Sequence, residues 1–227
     1  MELVSVNVGR PRDALIGGKT VSTAIFKESL NGRVMVRRLG VEGDGQADRE
    51  AHGGVDQAVY AYPHEHYAYW ESTLQRDPFP FGQFGENFTV RGLTEETVRV
   101  GDVLRIGGAR LQVSQPRIPC YKLAHRMAEG AGFPKTFLRS KRTGFMLRVL
   151  VEGEVGPGDA IDTESSANAA STIAEFVHIA HFDTRNSPGL HRLLASPGLS
   201  DEWRTKIEEL QRRATSPTSA TRGSRRC

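Results

Sequence analysis

Cysteine is scarce in this chain, and the cysteine and histidine patterns that build structural metal sites are missing. Among the 227 residues only Cys120 and Cys227 are cysteines, and Cys227 is the last residue. A disulfide scaffold needs more cysteines than this, so we expect no structural disulfide bridge. The sequence contains no CxxC or HExxH pattern, which argues against a zinc site.

Long apolar runs are absent as well. No stretch of the sequence is long and apolar enough to span a bilayer. The first residues, MELVSVNVGRPRD, alternate like a β-strand and lack the basic start, apolar middle and cleavage site of a signal peptide. We therefore expect a cytoplasmic protein that does not associate with membranes.

The chain has no strong excess of charge of one sign. It carries 30 Lys and Arg against 27 Asp and Glu, a formal net charge of +3, and Arg222, Arg225 and Arg226 lie among the last few residues. Such a modest charge gives little reason to expect a nucleic acid partner, and we predict none. The hydrophobic fraction of 38% suits a globular protein with a core.

Short strand-like segments separated by glycine turns dominate the first 163 residues. LVSVNV and RVMVRRLGV alternate or are rich in β-branched residues, which favours strands. Gly101-Asp102 and Gly107-Gly108 are strong turn signals between later strands. Irregularly spaced short strands predict a mainly β core, a β-barrel or a curled sheet, rather than a parallel α/β sheet.

One segment of this region, YPHEHYAYWESTLQ, has helical periodicity instead. His66, Tyr69, Trp70 and Leu74 are spaced three or four residues apart, as on one stripe of a helix. Pro63 suits the first turn of that helix. The sequence therefore predicts a single helix inserted among the strands.

The composition changes near residue 165, at the polar small-residue segment TESSANAAS. STIAEFVHIAHF, SPGLHRLLAS and SDEWRTKIEELQRR follow it with helical spacing. In the last of these, Ser200 suits the N-cap, Asp201 and Glu202 suit the first turn, and Arg212 and Arg213 suit the end. The prediction is a small helical C-terminal appendage.

These features divide the chain into three predicted parts. Residues 1–163 form a β domain, residues 164–213 a small helical domain, and residues 214–227 a disordered basic tail. The helices have enough apolar side chains to pack against the β domain. Docking a redox partner or forming a homodimer are alternative uses of that surface.

Polar residues and glycines are concentrated between the second group of strands and the predicted helix. Gly53 and Gly54 would let the backbone approach a ligand closely and point amides at an anion. His52 and Asp56 flank this turn and are candidates for hydrogen bonds to a ligand. The alternative is a structural glycine turn.

Two further motifs have mainly structural interpretations. His64 and His66 are two residues apart, which places them on different faces of a helix and suits a shared metal poorly. We expect His66 to be buried and hydrogen-bonded and His64 to be solvated. In FGENF, Glu86 and Asn87 mark a tight turn, where Asn87 either satisfies a buried loop or contacts a ligand.

The segment QPRIPCYKL contains Cys120. Pro116 and Pro119 stiffen the backbone before the cysteine and fix the direction of its side chain. Arg117 and Lys122 are placed to stabilise a thiolate, which is the reactive and metal-binding form of cysteine.

Three roles for Cys120 remain open on these residues alone. It is a small buried hydrophobe, a nucleophile with His52 or His66 as its base, or a ligand to a soft metal. The spacing does not rank these alternatives.

Taken together, four segments resemble the MOSC-domain proteins, and in particular their bacterial YiiM-like branch. They are EGDGQADREAHGGVDQAVYAYPHEHYAYW, FGENFTVRGLTEETVRVGDVLRIG, LQVSQPRIPCYKL and GFMLRVLVEGEVGPGD, in that order. The resemblance extends from near the N-terminus to about Asp162, and the later helices are similar to the helical C-terminal part of that branch. It implies a MOSC-type β-barrel core.

The resemblance also implies a cofactor and a reaction. MOSC domains bind the molybdenum cofactor, a molybdopterin-ligated molybdenum, and the family's cysteine ligand to the metal matches Cys120. Relatives reduce N-hydroxylated compounds such as hydroxylaminopurines and amidoximes. Because nothing here resembles a flavin, haem or iron–sulfur site, a separate reductase is expected as the electron donor. The alternatives are a cofactor carrier or sulfur-transfer module that uses Cys120, and a cysteine hydrolase.

Further site residues follow from the same resemblance. Arg117 and Lys122 are the expected cationic contacts of the cofactor, with the backbone amides of Gly53 and Gly54. The candidates for orienting the pterin or substrate, or for delivering protons, are His52, Asp56 and Asn87.

Overall fold

The computed structural model describes residues 1–45, 54–164 and 170–215 of the chain. Thirteen strands and six α-helices occur in these ranges. The strands are β1 Glu2–Val8, β2 Arg12–Ile16, β3 Lys19–Thr23, β4 Glu28–Ser29, β5 Val34–Arg37, β6 Gly40–Val41, β7 Val59–Pro63, β8 Phe88–Arg91, β9 Val103–Ile106, β10 Ala109–Pro116, β11 Phe145–Val151, β12 Gly153–Val155 and β13 Ile161–Glu164. The helices are α1 Glu65–Leu74, α2 Tyr121–Arg126, α3 Phe133–Arg139, α4 Ile173–Phe182, α5 Ser187–Ala195 and α6 Asp201–Thr215.

Eight strands form the main sheet, in the order β13-β9-β10-β11-β7-β8-β1-β4. Neighbouring strands are antiparallel except β7 and β8, which are parallel. The sheet curls so far that β1 also meets the segment that leads into β13. There the Leu3 amide donates to the Asp159 carbonyl over 2.9 Å, and the Ile161 amide donates to the Met1 carbonyl over 2.9 Å. The predicted mainly β core with a helical C-terminal part is confirmed.

The predicted turn at Gly107-Gly108 is confirmed as the two-residue hairpin between β9 and β10. Ile106 pairs with Ala109 across it, and Gly107 has a φ of +53°. A side chain is disfavoured there, because a Cβ on Gly107 would lie 2.5 Å from the Glu154 carbonyl oxygen. Glycine therefore sets both the turn and the close approach of β12.

The predicted start of the inserted helix is wrong. Pro63 is the last residue of β7, where it pairs with Val90 of β8, and α1 begins only at Glu65. Pairing in the sheet holds Pro63 in an extended conformation, so Pro63 is not in the first turn of α1. The buried stripe also differs from the prediction, because α1 buries Tyr67 with His66 and Trp70 while Tyr69 is 38% exposed.

The C-terminal helices share one hydrophobic core with the sheet. Phe176 of α4, Leu193 of α5 and Trp203 of α6 are buried in the same cluster as Leu3 and Phe145 of the sheet. The packing role expected for the helices is therefore confirmed. The Ser200 cap is confirmed as well, because its hydroxyl accepts a hydrogen bond from the Trp203 amide at the start of α6.

The predicted boundary regions lie largely outside the described residues. Residues 165–169 of the predicted linker and residues 216–227 of the predicted tail are not described, and α6 extends to Thr215. In the described ranges, no helix combines the length and the apolar character that crossing a membrane requires.

The first C-terminal helix begins at a capping box that offers a test of its stability. Thr172 Oγ1 accepts from the Glu175 amide over 3.1 Å, and Glu175 Oε2 accepts from the Thr172 amide over 3.2 Å. We expect Thr172→Ala to lower the free energy of unfolding by about 1 kcal/mol, because the Glu175 amide at the start of α4 loses its side-chain acceptor. Urea denaturation measures the change. Thr205→Ala, on the exposed face of α6, is the control and should change it by less than about 0.5 kcal/mol.

Candidate functional site

A cavity of about 610 Å³ lies between one end of the sheet and the C-terminal helices. Its lining residues come from the β domain and from the C-terminal helices. The polar and charged residues of the β-domain part, called the strand wall below, include Lys27, Asp44, Asn87, Gln115, Arg117, Cys120 and Lys122. The helix wall consists of Ala180, His181, Glu202, Trp203, Lys206, Glu209 and Leu210. The volume is in the range of small-molecule and cofactor sites.

Cys120 lies on the strand wall at the N-cap position of α2. Its backbone is extended, with φ −119° and ψ 175°, and its carbonyl accepts from the Leu123 amide over 3.0 Å. The loop before it is fixed where β10 ends, because the Arg117 amide donates to the Gly144 carbonyl over 3.2 Å. The half-buried Cys120 side chain therefore borders the cavity from a well-supported loop.

Arg117 places a buried cation beside Cys120. Its side chain is 6% exposed, and its guanidinium lies 5.4 Å from the ring centre of Tyr60 and 5.8 Å from that of Phe137. Within the described ranges, Arg117 Nη1 and Gln115 Oε1 are buried without a hydrogen-bond partner. Buried polar groups are rarely left unsatisfied, so both atoms are candidates for hydrogen bonds to a bound molecule.

Lys122 and Lys27 add two further buried cations to the strand wall. Each is 8% exposed. Lys27 Nζ donates to both carboxylate oxygens of Asp44, over 2.6 and 2.7 Å. Burial lowers the pKa of Lys27 below its ordinary value, and the nearby Asp44 carboxylate opposes that shift. With Arg117, these residues make the strand wall rich in positive charge.

Asn87 lies on the strand wall, but the protein itself uses its amide. Nδ2 donates to Asp44 Oδ2 over 2.8 Å, and Oδ1 accepts from the Tyr60 amide over 3.1 Å. Asp44 also accepts from the Gly9 amide over 2.8 Å. Of the two roles predicted for Asn87, these contacts match the one in which it satisfies a buried loop.

Asp56 lies outside the residues that line the cavity. Its carboxylate binds Arg148, with Oδ1 accepting from Nε over 2.7 Å and from Nη2 over 2.6 Å. Ser114 Oγ donates to the Asp56 carbonyl over 2.5 Å. Asp56 thus holds the 3₁₀ turn Val55–Gln57, whose last residue, Gln57, does line the cavity.

The glycine turn is only partly described. His52 and Gly53 lie outside the described residues. Gly54 has a φ of +92° and borders a second, smaller depression of about 350 Å³, together with Asp44 and Gly45. The structure therefore places Gly54 near the strand wall but not among the residues that line the main cavity.

His66 and Glu86 are buried in the core beside the site. His66 Nε2 lies 2.6 Å from Glu95 Oε2, as expected for a hydrogen-bonded buried histidine, and neither residue lines the cavity. Glu86 accepts hydrogen bonds from the Gly82 and Phe84 amides over 3.0 Å and from the Tyr67 hydroxyl. Burial raises the pKa of Glu86 above its ordinary value.

The prediction that His64 is solvated is wrong. His64 is half-buried against the rings of Tyr67 and Phe81 rather than solvated. In the part of the chain that the structure describes, no three histidine, cysteine or acidic side chains converge as a metal site.

The helix wall is the part of the site that sequence reasoning missed. His181, Lys206 and Glu209 lie on helical faces that were expected either to pack or to face solvent. The amphipathic pattern of α6 offered no signal for this role, because a polar face bordering a cavity has the same periodicity as one facing water.

Comparisons with known proteins agree with this architecture. The MOSC domain profile matches residues 48–162. The chain belongs to the MOSC-domain family. A second profile, described as the YiiM-like 3-alpha helix domain, matches residues 172–210, where α4, α5 and most of α6 lie. MOSC domains in general bind the molybdenum cofactor.

Individual proteins of known sequence or structure are similar to this MOSC protein over most of its length. YflK of Bacillus subtilis is 41% identical over 208 residues, which cover 90% of this chain and 92% of YflK. The crystal structure of YiiM from Geobacillus stearothermophilus superposes with a TM-score of 0.78 at 36% identity, covering 92% of this chain and 98% of that one. A protein of Gibberella moniliformis named "Reductase" is 35% identical over 162 residues, 70% of this chain but 28% of its own length.

Proposed function

We propose that this MOSC-domain protein binds the molybdenum cofactor in the main cavity and reduces N-hydroxylated compounds there. The observation that carries the proposal is the strand wall, where half-buried Cys120 borders the same cavity as Arg117, whose buried Nη1 has no hydrogen-bond partner among the described residues. The fungal relative named "Reductase" supports an oxidoreductase rather than a hydrolase.

The residues of the strand wall fit the chemistry of the cofactor. A cysteine thiolate suits a thiophilic metal such as molybdenum, and Cys120 is the thiol group on this wall. Arg117 and Lys122 would bind the phosphate, because both are buried cations on the same wall. Gln115 Oε1 and Arg117 Nη1, which have no partner among the described residues, would then hydrogen-bond polar atoms of the cofactor.

The overall reaction requires two electrons and two protons. R–NHOH + 2 e⁻ + 2 H⁺ gives R–NH₂ + H₂O, so the N–O bond breaks, the nitrogen is reduced and the oxygen leaves as water. When bound, the molybdenum cofactor supplies the two-electron, oxygen-transfer chemistry. The electrons come from a separate reductase protein, for which a reduced viologen dye can substitute in an assay, two molecules of the one-electron donor being oxidised for each substrate reduced.

The protein's own contribution is to position the reactants and to exclude water. Burial of Arg117 and Lys122 strengthens their attraction for anionic groups, because the surrounding dielectric is lower than that of water. Asn87 and Asp44 fix Lys27 and do not contact the substrate in this proposal. Asp56 has a positioning role, since its contact with Arg148 holds the turn that presents Gln57 to the cavity.

Two measurements test the proposal: the molybdenum content of the protein and its reduction of a test substrate. The protein is purified without oxygen from a host that makes the cofactor, and molybdenum is measured by elemental analysis. We expect close to one molybdenum per chain, and conversion of 6-hydroxylaminopurine to adenine with a reduced viologen dye as electron donor.

Each failure has a distinct meaning. Molybdenum without reduction of 6-hydroxylaminopurine or benzamidoxime would leave only a cofactor-binding role. Absence of molybdenum, with a mass increase of one sulfur atom on Cys120, would instead support the sulfur-carrier alternative.

A further inference from the structure

The helix wall brings polar side chains of α4 and α6 to the same cavity as the cationic strand wall. These helices lie outside residues 48–162, the part of the chain that the MOSC domain profile matches. The wall is anchored across the site, because Gln57 Nε2 donates to Glu202 Oε2 over 3.3 Å. The C-terminal helices therefore form part of the cavity as well as of the core.

Most charged groups of the helix wall already have partners. Glu202 pairs with Lys206 and Glu209 pairs with Arg213, each one turn apart on α6. Lys206 Nζ also lies 5.0 Å from the ring centre of Trp203. These contacts leave the acidic groups little need for a ligand, so they do not by themselves indicate one.

His181 differs from its neighbours on this wall. It lies in the last turn of α4 and lines the cavity, and its Nε2 is buried without a hydrogen-bond partner in the ranges that the structure describes. Its ring packs edge-on against Trp203, with the centroids 5.7 Å apart and the planes at 81°. A buried ring nitrogen without a partner is unfavourable, and a ligand in the cavity that His181 lines would supply one after a small movement of the ring.

The charge state of His181 suits contact with an uncharged polar group. Burial and, secondarily, the charge of Lys206 lower the pKa of His181 below its ordinary value. The imidazole is therefore neutral at pH 7. Its Nε2 can then donate or accept one hydrogen bond, depending on the tautomer.

We propose that His181 binds the substrate, with Nε2 forming a hydrogen bond to the N-hydroxylated amidine-type edge of the molecule held between the two walls. This inference rests on the proposed function and deepens it. The strand wall holds the cofactor, and the C-terminal helices supply the substrate contact. Such an edge carries both an N–H or O–H donor and a ring or imine nitrogen acceptor, so it can complement either tautomer of His181.

The test compares His181→Leu with His181→Gln in the cofactor-loaded protein. We expect His181→Leu to lower kcat/KM for 6-hydroxylaminopurine about tenfold, as for the loss of one buried hydrogen bond, with molybdenum content unchanged. His181→Gln, which keeps a polar group near the position of Nε2, should stay within roughly threefold of the wild type. His191→Leu on the exposed face of α5 is the matched control and should have no effect.

Equal kcat/KM in the wild type and His181→Leu would overturn the proposal. So would equal losses in the leucine and glutamine variants, because these would indicate packing rather than hydrogen bonding.

A binding measurement keeps this inference separate from the proposed function. Titration calorimetry with 6-hydroxylaminopurine needs no turnover, and we expect the affinity of His181→Leu to be about tenfold weaker than that of the wild type. In the wild type, the ligand should also shift the ¹⁵N resonance of the His181 Nε2, which requires no variant to fold. A protein without reductase activity that shows both effects would retain the substrate site, whereas an unshifted resonance would eliminate it.

Discussion

Replacing Cys120 by alanine is expected to remove molybdenum from the purified protein and to lower its reductase activity by roughly a hundredfold or more. Changes around a metal site that leave its ligands intact already cost about 10- to 100-fold, and this change removes the thiolate itself. The cationic residues of the strand wall would still attract the cofactor's phosphate, but without a bond to the metal. Elemental analysis and kcat/KM for 6-hydroxylaminopurine measure the two effects.

Two further variants make this result specific. Cys120→Ser preserves the size of the side chain but offers a harder oxygen donor, so we expect it to behave much as alanine does. Cys227→Ala removes the other cysteine of the chain and should retain both molybdenum and activity. Full molybdenum content in Cys120→Ala would show that Cys120 is not the ligand.

Replacing Asp44 by alanine is expected to destabilise the protein by roughly 3–5 kcal/mol. Asp44 is the partner of buried Lys27, and it also accepts hydrogen bonds from the Gly9 amide and from Asn87. Its loss leaves a buried ammonium without its counter-ion and two donors without their acceptor. The free energy of unfolding from urea denaturation should show the change at pH 7.

A double variant separates the buried charge from the other lost contacts. Lys27→Met combined with Asp44→Ala should be more stable than Asp44→Ala alone by roughly 1–2 kcal/mol, because it no longer buries an unpaired charge. Glu2→Ala is the control, since its pair with Arg91 is about half exposed on both sides and should contribute less than about 1 kcal/mol. A loss below 1 kcal/mol in Asp44→Ala would show that the buried pair contributes little.

The width of the cavity depends on how the sheet and the helices pack in their shared core. Trp203 is 4% exposed and belongs to the same hydrophobic cluster as the sheet, yet it also borders the cavity. Packing of α6 against the sheet therefore sets the distance between the strand wall and the helix wall. The same helices therefore take part in both the core and the cavity.

Local patterns were sufficient to predict the class of fold and several of its turns. Alternating and β-branched segments identified the strands, and Gly107-Gly108 identified a hairpin, because both signals depend on residues adjacent in the chain. The resemblance of four ordered motifs led to the MOSC family. The cationic surroundings of Cys120 were visible as well, since Arg117 and Lys122 lie within three residues of it.

The position of Pro63 was predicted wrongly because a local pattern does not include distant partners. A proline before a helical stripe has two local solutions, an extended one and a helical one. The pairing of Pro63 with Val90 selects the extended conformation. Val90 lies 27 residues further along the chain. No local pattern contains that information.

The sequence by itself determined a mainly β protein with C-terminal helices and a cysteine set among cations. Only the tertiary structure decided which polar groups satisfy one another, as Asp56 does with Arg148 and Asn87 with Asp44, and which buried polar atoms have no partner in the described ranges. These contacts join residues 43 to 92 positions apart. Periodicity reports burial along one element, whereas the partner of a buried polar atom depends on which elements meet, and that is set by the packing of the whole core.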